Sequence, residues 1–215
     1  MSRQNKKEAI TALHHHTILL AAEQVFYEKG FSATTIEDLS KASSYSRRTI
    51  YTYFQNKEDI LYNVILKGLN TLHNHLNDSL THEDDFLTQY FSICKTLKSY
   101  YSNYPYSFDA IYSLTNREMK IDETNPTLIQ VLKFESEINQ LMEVFLKKGQ
   151  DKNIVQSHLN IKQATRILWI SLISLITIAH NKDSVVQKEL NIPVEQFLQD
   201  GYIQIINSVL ETRIL

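Results

Sequence analysis

The chain has 215 residues, a formal net charge of −2, 43% apolar residues, four glycines, three prolines and a single cysteine. That length suits one or two domains with a sizeable core, and the lone Cys94 excludes an intramolecular disulfide, which fits a reducing, cytoplasmic setting. The N-terminus lacks the apolar stretch of a signal peptide, and the longest apolar run, Ile167 to Ala179, is broken by Ser171, Ser174 and Thr177 and falls short of the ~20 residues a bilayer span needs, so no membrane partner is expected.

No period-2 alternation of useful length occurs, so the expected fold is all-α. Residues before Lys7 read as a flexible arm carrying Arg3, Lys6 and Lys7, followed by a helix from about Lys7 to Lys29 that Gly30 stops. Thr34 with Glu37 three residues on reads as a capping box opening a short helix through Ile36 and Leu39. Ser43-Ser44-Tyr45 interrupts it, and Ser46 is placed to cap a second short helix. There Ile50 and Phe54, four apart, face inward, while Arg47, Arg48, Thr49, Tyr51, Thr52 and Tyr53 fall largely on the remaining surface. Taken singly, such arginines are ordinary solvated charges and such tyrosines half-buried core. Together, just after a cap on the second helix of a tight pair, they have the layout of a helix-turn-helix presenting a recognition helix to the major groove.

Asn56, with Asp59 three residues on, is expected to cap a long helix from Lys57 to about Asn77, with Leu61, Val64, Ile65, Leu69, Leu72 and Leu76 in one stripe. Shorter helices are expected over about Glu83–Tyr101 and Pro105–Asn116, then a polar loop over Arg117–Asn125. Pro126 opens a helix to about Lys148, stopped by Gly149, and one turn of helix is placed at Ile154–His158. Two strong helices, about Ile161–Asn181 and Pro193–Thr212, close the chain. They are apolar on more than one face, from Ile167, Leu168, Ile170, Leu172, Ile173, Leu175 and Ile176 to Phe197, Tyr202, Ile203, Ile205, Ile206, Val209 and Leu210. A helix apolar nearly all round buries both sides, so these two are the expected homodimer interface.

The stretch from about Ile18 to Val64 resembles the N-terminal DNA-binding domain of the TetR family of transcriptional regulators. The resemblance rests on I-L-L-A-A-E-Q-V-F-Y-E-K-G-F-S-A-T-T-I-E-D-L-S-K-A, on S-R-R-T-I-Y-T-Y-F, and on Asn56-Lys57-Glu58-Asp59-Ile60-Leu61. It implies a three-helix DNA-binding domain over 1–56 and a helical ligand-binding and dimerisation domain over 57–215. It further implies phosphate contacts from Thr35, Tyr51 and Lys57, with Ser46, Arg47, Arg48 and Thr49 nearest the bases. Arg47 or Arg48 would make the bidentate guanine contact that is commonest in direct readout. The chain departs from the family at Ser44 and Tyr45, where glycine and a small aliphatic residue are usual, and at Arg48, where glycine or proline is frequent. Ser44 then has to adopt the turn dihedral at some conformational cost.

The implied function is a ligand-responsive regulator, a repressor released from a palindromic operator on double-stranded DNA by a small molecule. The charge distribution agrees: residues 1–58 carry eight Lys+Arg against six Asp+Glu, and residues 59–215 carry fourteen against eighteen. Aromatics concentrate from Tyr90 to Tyr112, and Tyr104, Phe108, Tyr112, Phe134, Met142 and Trp169 are the candidate ligand-binding residues, with plain core packing as the other reading of each. Arg166 and His180 flank the Ile167–Ala179 run and are candidates to fix a polar ligand group, with interface or surface residues as the equal alternative. His14-His15-His16 lie about 100° apart on a helix and cannot converge on one ion, so no metal or other cofactor is expected. An enzyme is not expected, since the chain has no Gly-rich phosphate loop and no nucleophile elbow. The alternative is a partner-regulated protein of this fold with weak or no specific DNA binding, suggested by Ser44, Tyr45 and Arg48. On a helix, Cys94 reads as a small buried hydrophobe before a redox sensor.

Overall fold

The structure, a computed structural model, describes residues 3–81, 85–115, 124–181 and 183–214. Among these residues the chain forms ten α-helices and no β-strand: α1 (Arg3–Lys29), α2 (Ile36–Ser43), α3 (Arg47–Tyr53), α4 (Lys57–Thr81), α5 (Phe86–Asn103), α6 (Pro105–Thr115), α7 (Pro126–Asp151), α8 (Ile161–Asn181), α9 (Asp183–Leu190) and α10 (Val194–Asn207). They form two compact units, residues 1–69 with 104–132 and residues 70–103 with 133–215. These units are divisions of packing, and α4 begins in the first and ends in the second.

In the first unit the apolar positions of the sequence become a buried core: Ile18, Ala22 and Phe26 of α1, Leu39 of α2, Ile50 of α3, and Ile60, Val64 and Ile65 of α4, with Phe54 between α3 and α4. Gly30 adopts φ +75, the left-handed value that ends α1 where the sequence placed its stop. The start differs. Arg3 already belongs to α1, so the expected flexible arm is the first turn of a 27-residue helix. Glu23 of α1 reaches α6 in this unit. Its carboxylate accepts the Ser107 backbone N–H at 2.9 Å and the Ser107 hydroxyl at 2.6 Å, which supplies the missing acceptors at the start of α6. Burial pushes the Glu23 carboxyl upward against the opposing pull of those bonds.

In the second unit Leu168, Leu172, Ile173 and Ile176 of α8 are buried, and α8 packs on α5 and α10. Gly201 of α10 lies where a Cβ would meet the Leu175 side chain at 2.6 Å, so glycine permits the close α8–α10 crossing. By length and composition Ile161–His180, with mean hydropathy 1.4, would also pass as a bilayer span. It packs on α5 and α10 along one side and leaves Ile167 and Ile178 exposed.

Four expectations for this half of the chain are corrected. Helix α7 does not stop at Gly149 but runs on to Asp151, and Asn153, at φ 57, turns the chain. Gly149 instead serves packing, because a Cβ there would lie 2.5 Å from the Phe86 ring, which stacks on Phe145 at 4.5 Å and 2°. The turn of helix expected at Ile154–His158 is instead a bridged stretch followed by a turn: Val155 bridges Leu210, Gln156 N–H donates to Val209 C=O at 3.0 Å, Glu211 N–H donates to Ile154 C=O at 2.9 Å, and the chain turns at 157–158. That pairing also explains why α10 ends at Asn207 and does not continue to Thr212: Val209, Leu210 and Glu211 turn back to the bridge. Helix α9 has no counterpart among the expected elements. Most of the loop expected at Arg117–Asn125, residues 117–123, lies outside the described residues, as do the start expected at Glu83 and the end expected at Asn116.

Candidate nucleic-acid interface

Helices α2 and α3 form the expected helix-turn-helix, and the atoms that build it can be followed one by one. The capping box lies one residue later than the sequence reading placed it. Thr35, not Thr34, is the N-cap: its hydroxyl accepts from Asp38 N–H at 3.2 Å, and its own N–H donates to the Asp38 carboxylate at 2.9 Å. Lys29 pairs with the other Asp38 oxygen at 2.5 Å, and this ammonium together with the Thr35 bonds holds the carboxyl well below the usual range. Thr34 is buried and donates to Gly30 C=O at 2.8 Å. Glu37, freed from the cap, faces Arg47 Nε at 3.5 Å.

The turn carries the cost expected of it. Ser44 sits at φ 61, ψ 18, the left-handed region that glycine occupies freely. Side chains staple the strained turn: the Ser40 hydroxyl donates to Tyr45 C=O at 2.7 Å, and the Ser43 hydroxyl donates to Leu39 C=O at 2.6 Å. Ser46 then caps α3 by accepting Thr49 N–H at 3.1 Å, and its hydroxyl meets that of Thr49 at 2.9 Å. Inward, Ile50 and Phe54 are buried. Outward lie Arg47 with 68% of its side chain exposed, Arg48, Tyr51 at 54% and Thr52, whose hydroxyl bonds back to Arg48 C=O.

The seven residues assigned to DNA are therefore brought to one region but are not equivalent. The hydroxyls of Thr35, Ser46 and Thr49 are engaged in caps. The Lys57 ammonium donates to Phe31 C=O and Thr34 C=O, both at 2.8 Å, and lies 4.4 Å from the Phe31 ring centroid. It ties the start of α4 to the loop before α2. Arg47 is partly matched by Glu37, whereas Arg48 forms no ion pair among the described residues. Arg48 and Tyr51 are the most available groups on the face.

Two histidines that sequence reasoning set aside as non-ligands also position this face. His14 Nδ1 lies 2.9 Å from the Tyr53 hydroxyl, and its ring is 4.7 Å from Tyr45, so one side chain of α1 touches the turn before α3 and the residue at its end. His15 stacks on Phe54 at 4.6 Å, and burial holds its imidazole below its ordinary value. Their spacing from the recognition helix, about forty residues away in sequence, left no local pattern from which to find them.

The remaining candidates divide. Tyr104 and Phe108 lie in the first unit, as does residue 112, although the Tyr112 side chain is outside the described residues. Phe134, Met142 and Trp169 lie in the second. Phe108, Met142 and Trp169 are buried. Phe134 meets His73 edge-on at 5.8 Å, and His180 packs on Tyr101 at 4.4 Å. Cys94 is buried beside Tyr90, and burial pushes its thiol up to about 12, far from the reactive thiolate range. Among the described residues no cluster of three or more His, Cys, Asp or Glu side chains has the geometry to hold a metal.

Comparison with known proteins bears on the same segment. Residues 18–64 match the family described as bacterial regulatory proteins, tetR family. The chain is 33% identical over 85 residues to the HTH-type transcriptional regulator TtgR of Pseudomonas putida, a match covering 40% of this chain and 39% of that protein. It thus spans about two fifths of the length of that curated relative. Over nearly the whole chain the fold is similar to that of the ketosteroid transcriptional regulator KstR2 of Mycobacterium tuberculosis, with a TM-score of 0.72 at 13% identity, covering 92% of this chain and 95% of that one. It is also similar to FadR of Bacillus subtilis, solved in complex with stearoyl-CoA, with a TM-score of 0.67 at 14% identity, covering 90% and 98%.

Proposed function

We propose that this chain, whose residues 18–64 match the tetR family of bacterial regulatory proteins, is a cytoplasmic, homodimeric repressor that leaves a palindromic operator when a small molecule binds. The observation that carries the reading is the exposed face of α3, where Arg47, Arg48 and Tyr51 stand outward over the buried Ile50 and Phe54. Arg48 reads a guanine by its guanidinium, and Tyr51 meets the backbone. Thr35, Ser46, Thr49 and Lys57 act by fixing the helices that carry those two.

Support for a dimer comes from α8. Leu168, Leu172 and Ile176 fill the core of their own unit while Ile167 and Ile178 stand 55% and 44% exposed on the same helix. A second copy would cover them. Two recognition helices would then sit one turn of DNA apart, 34–36 Å. Support for a small-molecule effector comes from the fold's likeness to a ketosteroid regulator and to a regulator solved with stearoyl-CoA. Such an effector must favour the DNA-released state by about 5.5 kcal/mol to move the population from one side to the other.

The test is fluorescence anisotropy with duplex DNA flanking the protein's own gene and with random duplex, each titrated with salt. The flanking DNA should bind more tightly, and Arg48→Ala should cost about 1–3 kcal/mol on it, chiefly by relaxing one base position. Equal, weak binding of both duplexes would favour the second reading, a protein acting through a partner. That reading draws on the occupied Lys57 ammonium and on the Ser44-Tyr45 turn.

A further inference from the structure

Within the second unit a groove of about 470 Å³ runs between α7 and the first turns of α8. Thr165 lines it. This residue is only 2% exposed, and its hydroxyl has no hydrogen-bond partner. A threonine inside a helix ordinarily returns its hydroxyl to the carbonyl four residues back. Here that bond is absent, and a buried hydroxyl left unsatisfied works against folding.

The walls around it are complementary in charge. Lys162 and Arg166, four apart, share one face of α8. Arg166 meets Glu135 at a loose 3.8 Å, and Lys162 forms no ion pair among the described residues. Asn160 caps the helix by accepting Gln163 N–H at 3.1 Å, so the positive end of the α8 dipole opens on the same space. Across the groove Asn139 and Glu143, also four apart, present an amide and a carboxylate from α7.

We infer that this groove is a binding site for a small organic acid bearing a second, hydrogen-donating group, as in a hydroxy or amino acid. The carboxylate takes the Lys162 and Arg166 cations and the Thr165 O–H, and the donor reaches Glu143. This site goes beyond the DNA-binding reading and stands whether or not that reading holds.

Glycolate is the probe, with acetate and inorganic phosphate beside it, on the full chain. Calorimetric titration should show saturable glycolate binding, tighter than acetate because only glycolate offers a donor to Glu143. Thr165→Val keeps the side-chain shape and removes the hydroxyl. It should weaken glycolate about tenfold and at the same time raise Tm by about 2–4 °C, since the unsatisfied group is gone. The rise in Tm follows from the unsatisfied hydroxyl alone, so the loss of glycolate affinity is the readout that assigns the site. Lys162→Met should weaken glycolate with Tm unchanged, which keeps the test alive should the Thr165 variant fail to fold. Non-saturating uptake, phosphate binding tighter than glycolate, or unchanged glycolate affinity in both variants would overturn the inference.

Discussion

The two units solve the problem of orientation differently. In the first, helices are held at fixed angles by identifiable polar atoms: Lys57 on the carbonyls of the loop before α2, Glu23 on the start of α6, His14 on Tyr53, Thr35 and Asp38 on each other. The second has polar pins too, such as the buried Tyr90 hydroxyl on Tyr202 C=O at 2.8 Å, but adds close approaches at two glycines: α8 lies against α10 across Gly201 and Leu175, and Phe86 stacks on Phe145 against Gly149. Hydrogen bonds are directional and fix a recognition helix in one pose, as reading a groove demands. Apolar contacts are non-directional, and they let packed helices slide and repack. The polar pins of the first unit therefore hold α2 and α3 in one pose, and the glycine contacts of the second bring its helices close together.

The comparison can be tested at single positions. The largest effect is expected at Gly149. An added methyl in Gly149→Ala meets both the Phe86 ring and Val155, and should destabilise the second unit by about 1–3 kcal/mol. Hydrogen exchange resolved by segment checks this, and a loss confined to α1–α3 would break the comparison. Next is Lys57→Met, which keeps the aliphatic stem and removes the ammonium. It should cost about 1.5 kcal/mol, the low end for hydrogen bonds to a charge because the residue is half-exposed, and loosen the loop before α2. DNA affinity should then fall through misplacement of α2 and α3, while a reduced salt slope with unchanged loop exchange would show that Lys57 touches phosphate after all.

Smaller still is Tyr53→Phe. Removing one hydroxyl from His14 should cost about 0.5–1.5 kcal/mol of stability, and the recognition helix should exchange faster at its C-terminal end. The mildest effect is a pH dependence. Burial depresses the His15 imidazole, so the unfolded chain binds the proton more readily than the folded one. Its contribution is complete above the ordinary histidine value of about 6.5 and is lost as pH falls from there through the depressed folded value. Denaturant melts across that window should show the first unit weakening toward acid, and His15→Phe should flatten the dependence.

Much of the first unit was legible because its signals are local. Ser46 capping Thr49, Gly30 ending α1, Asn56 accepting Asp59 N–H at 2.7 Å and Ile50 with Phe54 facing inward all lie within four residues of their partners. The capping box was displaced by one residue because Thr34-Thr35 and Glu37-Asp38 offer two registers with the same spacing. Only burial of Thr34 beneath the loop decides between them. The bonds that Lys57 makes within the fold were not legible, since its acceptors lie 23 and 26 residues earlier.

In the second unit the local signals misled. Gly149 looks like a helix stop, and Ile154–His158 like a turn of helix, yet each is overruled by a distant neighbour, Phe86 in one case and the Val209–Glu211 strip in the other. The sequence by itself determined that the chain is helical, where its strongest helices run, and which short helix carries two exposed arginines, because periodicity and capping act over one or two turns. Only the tertiary structure decided which polar groups remain available. A hydroxyl or ammonium is free or spent according to what the fold brings within 3 Å of it, and that partner can lie anywhere in the chain.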